Sequence, residues 1–216
     1  MIKGIIFDMD GVLLDTAKYH FESWKYLAKS LGHGLEDKIG EQLKGINRNA
    51  SLDIVLEACG LSGNLIERQQ WMDIKNDRFL ESLPANHQDI ILDGVLNLLQ
   101  EISDKQIPKA VASSSKNAHY ILEKTGLSRW FVSILDANDT VHSKPHPEVF
   151  INTARELRLQ EHECLVIEDS YKGVEAAIRG GFPVIGIGDS KVLASANRVI
   201  ENLSSVSYKK LISDVV

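Results

Sequence analysis

Two aspartates near the start of the chain have the types and spacing of residues that could do chemistry. Asp8 and Asp10 stand one residue apart in the stretch FDMDG, directly after residues 2–7, a mostly apolar segment. Two carboxylates this close repel each other unless a cation or a shared proton compensates for their charge. We therefore expect a metal ion, or an unusual protonation state, at this position.

Other polar groups follow further apolar segments of the chain. They are Ser113, Lys144, Glu168 and Asp169. If the segments before them are parallel strands, their carboxyl ends meet at one edge of a sheet and bring these groups together. Carboxylate and backbone oxygens are the ligands that Mg²⁺ prefers, so the sequence predicts a magnesium site with a lysine and a hydroxyl beside it.

The elements that would position these groups alternate between strands and helices. We predict strands at residues 2–7, 109–112, 165–167 and 184–187, with weaker ones at 132–135 and near Val199. Helices are predicted at residues 95–103, 118–124, 147–157, 173–179 and 208–212. This alternation is typical of an α/β fold with a doubly wound, mostly parallel sheet.

One segment, residues 16–84, departs from this alternation because its pattern is helical throughout. Within it, Asn64 and Glu67 have the spacing of a capping box that begins a long helix ending at Pro84. We therefore expect an α/β core at residues 1–15 and 85–216 and an inserted helical cap at residues 16–84. Inserted after the first strand, the cap would cover the carboxyl end of that strand as a lid.

The amino-acid composition and net charge argue against some classes of protein. The chain has 216 residues, of which 44% are hydrophobic and 25% are charged, and its net charge is −6. This balance favours a globular protein that binds neither nucleic acid nor membranes. Cys59 and Cys164 are far apart and lack metal-ligand spacing, so we expect reduced thiols. With neither a signal peptide nor a membrane span apparent, we expect a cytoplasmic protein, and a monomer.

The residues after the strands resemble the motifs of the haloacid dehalogenase superfamily, in the same order and on the same kinds of element. The motif residues are Asp8, Asp10, Gly11, Ser113, Lys144, Glu168 and Asp169. The resemblance implies that Asp8 forms an aspartyl phosphate and that Asp10 is the general acid and base. It also implies that Ser113 and Lys144 contact phosphoryl oxygens. Mg²⁺ would be held by Asp8, Asp169 and the Asp10 carbonyl, with Glu168 as a further ligand or a supporting group.

Within this superfamily, the cap segment resembles that of the β-phosphoglucomutase family. The resemblance lies in YHFESWKYLA, EQLKGINRNASL and KNDRF, together with ASSSKN in the core. It implies that Thr16 and His20 couple lid closure to Asp10. It further implies that eight other residues of these segments contact the substrate: Trp24, Lys44, Gly45, Arg48, Lys75, Ser115, Lys116 and Asn117. Asn49, Ala50 and His146 depart from the family pattern, and none of them removes a group that the chemistry needs.

Ordinary structural roles remain open for several of these residues. His20 and Trp24 lie on an apolar helix face and could belong to the core of the cap. Lys75 could be a surface lysine whose stem packs on apolar neighbours. Lys44 and Arg48 could be solvated surface charges.

The resemblance predicts an isomerase that interconverts β-glucose 1-phosphate and glucose 6-phosphate. The reaction would pass through glucose 1,6-bisphosphate and require Mg²⁺. The alternative is a Mg²⁺-dependent phosphatase of small sugar or polyol phosphates, which would use the same core residues. A non-catalytic sugar-phosphate sensor is a third possibility, against which the intact set of acids argues.

Overall fold

The computed structural model describes residues 1–204 and 206–213. Six strands in this part of the chain form one sheet with the order β3-β2-β1-β4-β5-β6, and every neighbouring pair is parallel. The strands are β1 (Gly4–Phe7), β2 (Lys109–Ala112), β3 (Ser133–Leu135), β4 (Cys164–Glu168), β5 (Val184–Ile187) and β6 (Arg198–Ile200). The predicted doubly wound α/β fold is therefore confirmed.

Helices lie in each connection from β1 to β5, and one more helix follows β6. The α-helices are α1 (Ala17–Ser30), α2 (Ile39–Leu43), α3 (Arg48–Cys59), α4 (Leu65–Ser82), α5 (Val95–Asp104), α6 (Ala118–Lys124), α7 (Glu148–Glu156), α8 (Tyr171–Arg179) and α9 (Tyr208–Ser213). Short 3₁₀ turns lie at His87–Ile90, Ser128–Trp130 and Glu161–Glu163.

The sheet has an apolar layer on each face because successive side chains of a strand point to opposite sides. Ile5 and Phe7 of β1 belong to a buried cluster with side chains of α5 and α6, whereas Ile6 belongs to a second cluster with side chains of α7 and α8. Being covered on both faces explains why the central strands are nearly continuous apolar runs.

The helices α1 to α4 have an apolar cluster of their own. Its buried members are Trp24, Leu27, Leu52, Val55 and Leu56. This cluster is separate from the two of the sheet, whereas Phe79 of α4 packs into the sheet's cluster. The arrangement supports an inserted cap, and we retain the boundaries of residues 16–84 as a proposal.

Element bounds differ from the predicted ones by a few residues. The capping box of Asn64 and Glu67 is present, as predicted. The helix it begins stops at Ser82, because Leu83 precedes Pro84 and adopts the extended conformation that a following proline imposes. At the N terminus β1 begins at Gly4 and not at residue 2.

Two further features concern the whole described chain. Among its residues, no helix combines the length and the apolar character needed to cross a membrane. Cys59 and Cys164 are free thiols, as predicted.

Candidate active site

The first wall of the site is built at the carboxyl ends of β1, β2 and β4. Asp8 directly follows β1 and is buried, and its backbone N–H donates to the carbonyl of Ile167 at 2.9 Å. The buried Lys144 Nζ donates to Asp8 Oδ1 at 2.6 Å, to Glu168 Oε2 at 3.1 Å and to the Ala112 carbonyl at 3.3 Å. One ammonium group thus joins the ends of the three strands, as the sequence predicted for their polar residues.

Three carboxylates are concentrated beside this lysine. One oxygen from each of Asp8, Glu168 and Asp169 lies within 4.8 Å of the others. Burial, followed by the charge of Glu168, raises the pKa of Asp8 well above its ordinary value and that of Asp169 to about 8. A divalent cation would remove this repulsion, and an all-oxygen donor set suits Mg²⁺. The residues present therefore fit the predicted magnesium site.

Two glycines allow these acids to approach the neighbouring backbone. Gly11 has a φ of +83°, and a Cβ added to it would lie 2.1 Å from Asp169 Oδ2. A Cβ on Gly173 would lie 2.0 Å from Glu168 Oε1. The turn after Asp10 thus needs glycine both for its backbone conformation and for the space that Asp169 occupies.

Asp10 is held by the start of the cap. The Thr16 hydroxyl donates to Asp10 Oδ1, and His20 Nε2 lies 3.6 Å from the same oxygen. Burial alone would raise the pKa of Asp10, but His20 and Thr16 hold it below its ordinary value. Thr16 stands at the N-cap of α1, where its hydroxyl would ordinarily serve the helix, and here that hydroxyl serves the acid instead.

The cap side of the site contains a buried lysine. Lys75 Nζ lies 2.7 Å from His20 Nδ1 and over the ring of Trp24, 5.1 Å from its centroid. Only 2% of Lys75 is exposed, so it is not the surface lysine that the pattern also allowed. Burial, together with the charge of Arg48, lowers the pKa of Lys75 to about 7. His20 stacks on Phe79, with 3.9 Å between ring centroids.

A hydrogen-bonded cluster joins the cap to the loop after β2. Arg48 Nη2 donates to Asn76 Oδ1 at 2.6 Å, and Asn117 Nδ2 donates to the same oxygen at 2.9 Å. The backbone N–H of Asn117 donates to Ser115 Oγ at 3.2 Å, and that of Ser115 donates to Ser113 Oγ at 3.0 Å. A chain of contacts therefore runs from α3 and α4 of the cap to the end of β2.

The loop between α2 and α3 docks on the core through its backbone. The Ser114 hydroxyl donates to the Gly45 carbonyl at 2.8 Å, and the Asn47 N–H donates to Ser143 Oγ at 2.9 Å. Gly45 has a φ of +72°, and a Cβ there would lie 2.1 Å from Ser170 Oγ. This close approach explains why glycine occupies the position.

One cavity of about 440 Å³ lies between the two walls. The predicted site residues that line it are Asp8, Asp10, His20, Trp24, Lys44, Gly45, Arg48, Lys75, Ser115, Lys116 and Asp169. The remaining predicted residues stand behind this lining and contact it or one another: Thr16, Ser113, Asn117, Lys144 and Glu168. Lys44, which also pairs with Glu41 at 2.9 Å, is among the lining residues.

Sequence reasoning missed the polar residues that connect cap and core. Asn76 is the clearest case, because its single side-chain oxygen accepts from both Arg48 and Asn117. An asparagine in the middle of an 18-residue helix is unfavourable for helix formation and was the one available signal. Ser114 and Ser143 offered no comparable signal, because their partners are distant in sequence.

The chain is similar to known proteins along nearly its whole length. The chain is 31% identical to β-phosphoglucomutase of Bacillus subtilis over 97% of its own length and 94% of that protein's. It is 28% identical to a phosphorylated carbohydrates phosphatase of Thermotoga maritima, over 92% and 93% of the two chains. The crystal structure of β-phosphoglucomutase from Clostridium difficile superposes with a TM-score of 0.95 at 33% identity, covering 100% of this chain and 97% of that one.

The wider family is shown by a match along most of the chain. The sequence model of the haloacid dehalogenase-like hydrolases matches residues 2–181. That span includes the acids at the strand ends, the lysine that joins them and the whole inserted cap. The chain belongs to the haloacid dehalogenase-like hydrolases, a family of enzymes that transfer or hydrolyse phosphoryl groups.

Proposed function

We propose that this enzyme is a β-phosphoglucomutase, which interconverts β-glucose 1-phosphate and glucose 6-phosphate through glucose 1,6-bisphosphate. The observation that carries the proposal is the cavity with two unlike walls. Asp8, Asp10 and Asp169 line it from the core, and Arg48 and Lys116 provide cationic groups in the same cavity. A substrate with a phosphate at each end matches this arrangement, because arginine can bind phosphate oxygens in pairs.

In the proposed reaction, Asp8 carries the phosphoryl group between the two positions of the sugar. Phosphorylated Asp8 donates its phosphoryl group to the 6-hydroxyl of β-glucose 1-phosphate, and Asp10 accepts the proton of that hydroxyl. The bisphosphate then reverses its orientation. The Asp8 carboxylate attacks the 1-phosphate, the bond between phosphorus and the C1 oxygen breaks, and Asp10 returns the proton to that oxygen.

The groups around Asp8 have roles that follow from their contacts. Lys144 already lies 2.6 Å from Asp8 and can neutralise charge on the phosphoryl oxygens, with Ser113 as a further donor. Mg²⁺ would be held by Asp8, Asp169 and the Asp10 carbonyl, where it supplies electrostatic stabilisation of the transferring group. Both oxygens of Glu168 accept hydrogen bonds, from Lys144 and from Ser170, which favours a supporting role for it.

The cap would exclude water and place Asp10. A mutase must protect its aspartyl phosphate from hydrolysis while the intermediate reorients. The loop between α2 and α3 is held on the core by two hydrogen bonds, one from the Ser114 hydroxyl to the Gly45 carbonyl and one from the Asn47 N–H to Ser143 Oγ. Thr16 and His20, at the start of the cap, contact or approach Asp10, so we infer that lid closure and the position of the acid are coupled.

A second candidate is a phosphatase of small phosphorylated sugars or polyols. It is favoured by the similarity to the Thermotoga maritima enzyme, whose name describes a phosphatase. The same core residues would act, and water would accept the phosphoryl group from Asp8. Such an enzyme has no need to bind a second phosphate. The cluster around Arg48 therefore supports the mutase, and substitution of Arg48 can distinguish the two candidates.

Substitution of Arg48 tests the proposal. Arg48→Ala should lower the conversion of β-glucose 1-phosphate by about ten- to a hundredfold, because a bidentate charged contact contributes roughly 1.5–3 kcal/mol. It should leave most of the slow hydrolysis of acetyl phosphate, which has no second phosphate. Asn76→Ala should reproduce this pattern with a smaller loss.

Arg68→Ala is the matched control, since Arg68 is another cap arginine and pairs with Asp53 outside the cavity. This variant should behave as the wild type on both substrates. Equal losses of Arg48→Ala on both substrates would mean that Arg48 supports the fold or the catalytic centre. Unchanged activity on both would favour the phosphatase.

A further inference from the structure

A second cluster of potential metal ligands lies on the outer side of the loop that carries Lys144. His142, His146 and Glu148 each offer one donor atom, and the three atoms lie within 4.8 Å of one another. The side chains of His142 and His146 are 60% and 51% exposed. None of the three residues lines the active-site cavity, and the proposed mechanism uses none of them.

The spacing of the donor atoms suits a small tetrahedral ion. His142 Nδ1 lies 2.9 Å from Glu148 Oε2, and His146 Nδ1 lies 3.9 Å from the same oxygen. Ligands at about 2.0–2.2 Å from a tetrahedral Zn²⁺ stand about 3.3 Å apart, midway between these two values. The imidazole rings face each other with centroids 4.5 Å apart, so small side-chain rotations would complete the set.

The carboxylate of the cluster is already fixed and ionised. The backbone N–H groups of Val141 and His142 donate to its two oxygens at 3.0 and 2.9 Å. These backbone bonds, with that from the His142 ring, lower the pKa of Glu148 to about 2, so it is charged across the physiological range. Binding would replace two contacts, the 2.9 Å hydrogen bond between His142 Nδ1 and Glu148 Oε2 and the 3.3 Å bond from the Glu148 N–H to His146 Nδ1.

The chemistry of the donors indicates which ions would bind. Two imidazoles and one carboxylate suit Zn²⁺, Ni²⁺ or Cu²⁺, whereas Mg²⁺ prefers oxygen ligands. The exposure of both rings leaves room for water to complete the coordination. The cluster is therefore chemically distinct from the three carboxylates at Asp8.

We propose that His142, His146 and Glu148 form a binding site for one divalent transition-metal ion of the Zn²⁺ class. The ion would tie the start of α7 to both sides of the segment that presents Lys144 to Asp8. Ser143, whose hydroxyl oxygen accepts a hydrogen bond from the Asn47 N–H in the loop between α2 and α3, lies in the same segment. Occupancy of the site thus restrains the loop that supplies Lys144, without touching the reacting groups.

The test is titration of Zn²⁺ into the intact protein in the presence of saturating Mg²⁺, measured by calorimetry. We expect one Zn²⁺ per chain in the wild type. His142→Ala and His146→Ala should each weaken that binding at least about tenfold, and Glu148→Gln, which keeps the side-chain size, should weaken it as well. His119→Ala is the matched control, because it removes an exposed histidine elsewhere and should leave the affinity unchanged.

Two further measurements locate the ion. Added Co²⁺ should give tetrahedral visible absorption bands in the wild type that the His146→Ala variant lacks. Zn²⁺ should slow amide hydrogen exchange in residues 141–146 of the wild type only. Absence of Zn²⁺ binding would overturn the proposal. So would equal binding by the wild type and both histidine variants, since the ion would then be held elsewhere, such as at Asp8.

Discussion

The two walls of the cavity are built by different means. On the core side, Asp8 and Glu168 lie at the ends of paired parallel strands, so the backbone of the sheet sets their separation. On the cap side, Arg48 and Asn117 meet through the side chain of Asn76, which joins two helices and a core loop. The first wall is rigid because of its backbone, whereas the second depends on side-chain hydrogen bonds across an interface.

This difference separates general chemistry from substrate choice. Substitutions in the core wall should affect every phosphate ester, because each ester must react with Asp8. Substitutions in the cap wall should affect only substrates that carry a second recognised group. Relatives with different activities can therefore share the core and differ in the cap.

The largest expected effect comes from Asp8. Asp8→Ala, and Asp8→Asn with the side-chain size preserved, should abolish turnover of every phosphate ester, because the covalent intermediate cannot form. Intact-protein mass spectrometry after incubation with acetyl phosphate should show a phosphoenzyme for the wild type and for Asp104→Ala, an exposed control. A phosphoenzyme in the Asp8 variants would identify another nucleophile. A wild type inactive on every ester would favour a sensor.

Removal of Mg²⁺ should reduce the turnover of phosphate esters nearly as much as the Asp8 substitutions do. Adding Mg²⁺ back should restore the turnover. Removal of Mg²⁺ should also reveal a pH effect. Asp169 has a pKa of about 8 in the metal-free protein, against an ordinary value of 3.8. Between these values the folded state holds a proton that the unfolded state has lost, so metal-free stability should fall as the pH rises. Melting temperatures at pH 5 and 8 test this.

Bound Mg²⁺ should reduce the loss of stability between pH 5 and 8, because it favours the ionised carboxylates. Asp169→Asn should also reduce this loss in the metal-free protein, since the amide does not titrate. If the wild type and Asp169→Asn lose the same stability between pH 5 and 8 without metal, the assignment of a raised pKa to Asp169 is wrong.

A smaller and more selective effect is expected at Asp10. Asp10→Asn should slow turnover of the sugar phosphate by about 10²- to 10⁴-fold, because proton transfer to and from the sugar oxygen is lost. Phosphoenzyme formation from acetyl phosphate should continue, since its leaving group needs little protonation. Stopped-flow measurement of the two steps would distinguish them. Wild-type turnover of the sugar phosphate by this variant would exclude the acid and base role.

The smallest effect is on stability, at Lys75. Its pKa of about 7 in the folded protein lies below the ordinary value of 10.5, so Lys75 binds a proton less tightly in the folded state than in the unfolded state. The buried charge therefore lowers the free energy of unfolding by its full amount below pH 7, and this destabilisation disappears as the pH rises to 10.5. Lys75→Met should therefore raise the free energy of unfolding by roughly 2–4 kcal/mol below pH 7 and by little near pH 10.5.

Urea denaturation at several pH values measures this difference. Lys29→Met is the control, because Lys29 is exposed on α1 and its replacement should add no such pH dependence. A Lys75→Met effect that is independent of pH would show that packing, and not the buried charge, determines the change. The signs expected for Lys75 and Asp169 are opposite, which sharpens the contrast between the two walls.

The core wall was predictable from the sequence because its signals are local. Asp8 and Glu168 stand at the ends of continuous apolar runs, and parallel pairing of such runs necessarily brings their ends together. The long cap helix was also predictable from its capping box. Only its end was misplaced, because the proline effect acts on Leu83, one residue before Pro84.

The joints between cap and core were not predictable because they are contacts between distant residues. Asn76 and Asn117 are 41 positions apart, and Asn47 and Ser143 are 96 positions apart. The contact of Thr16 with Asp10 was expected only from the family resemblance, because nothing in the local pattern indicates it. Periodicity identifies elements, but it does not specify which loop of one unit meets which helix of the other.

The partition of products tests the central claim most directly. Wild-type enzyme with Mg²⁺ would be given β-glucose 1-phosphate and a trace of glucose 1,6-bisphosphate, and glucose 6-phosphate and free phosphate would be followed together. A mutase with a closed cap should form glucose 6-phosphate at least about tenfold faster than free phosphate, a difference of about 1.4 kcal/mol or more between the two barriers. Release of free phosphate without glucose 6-phosphate would contradict the account and establish a phosphatase.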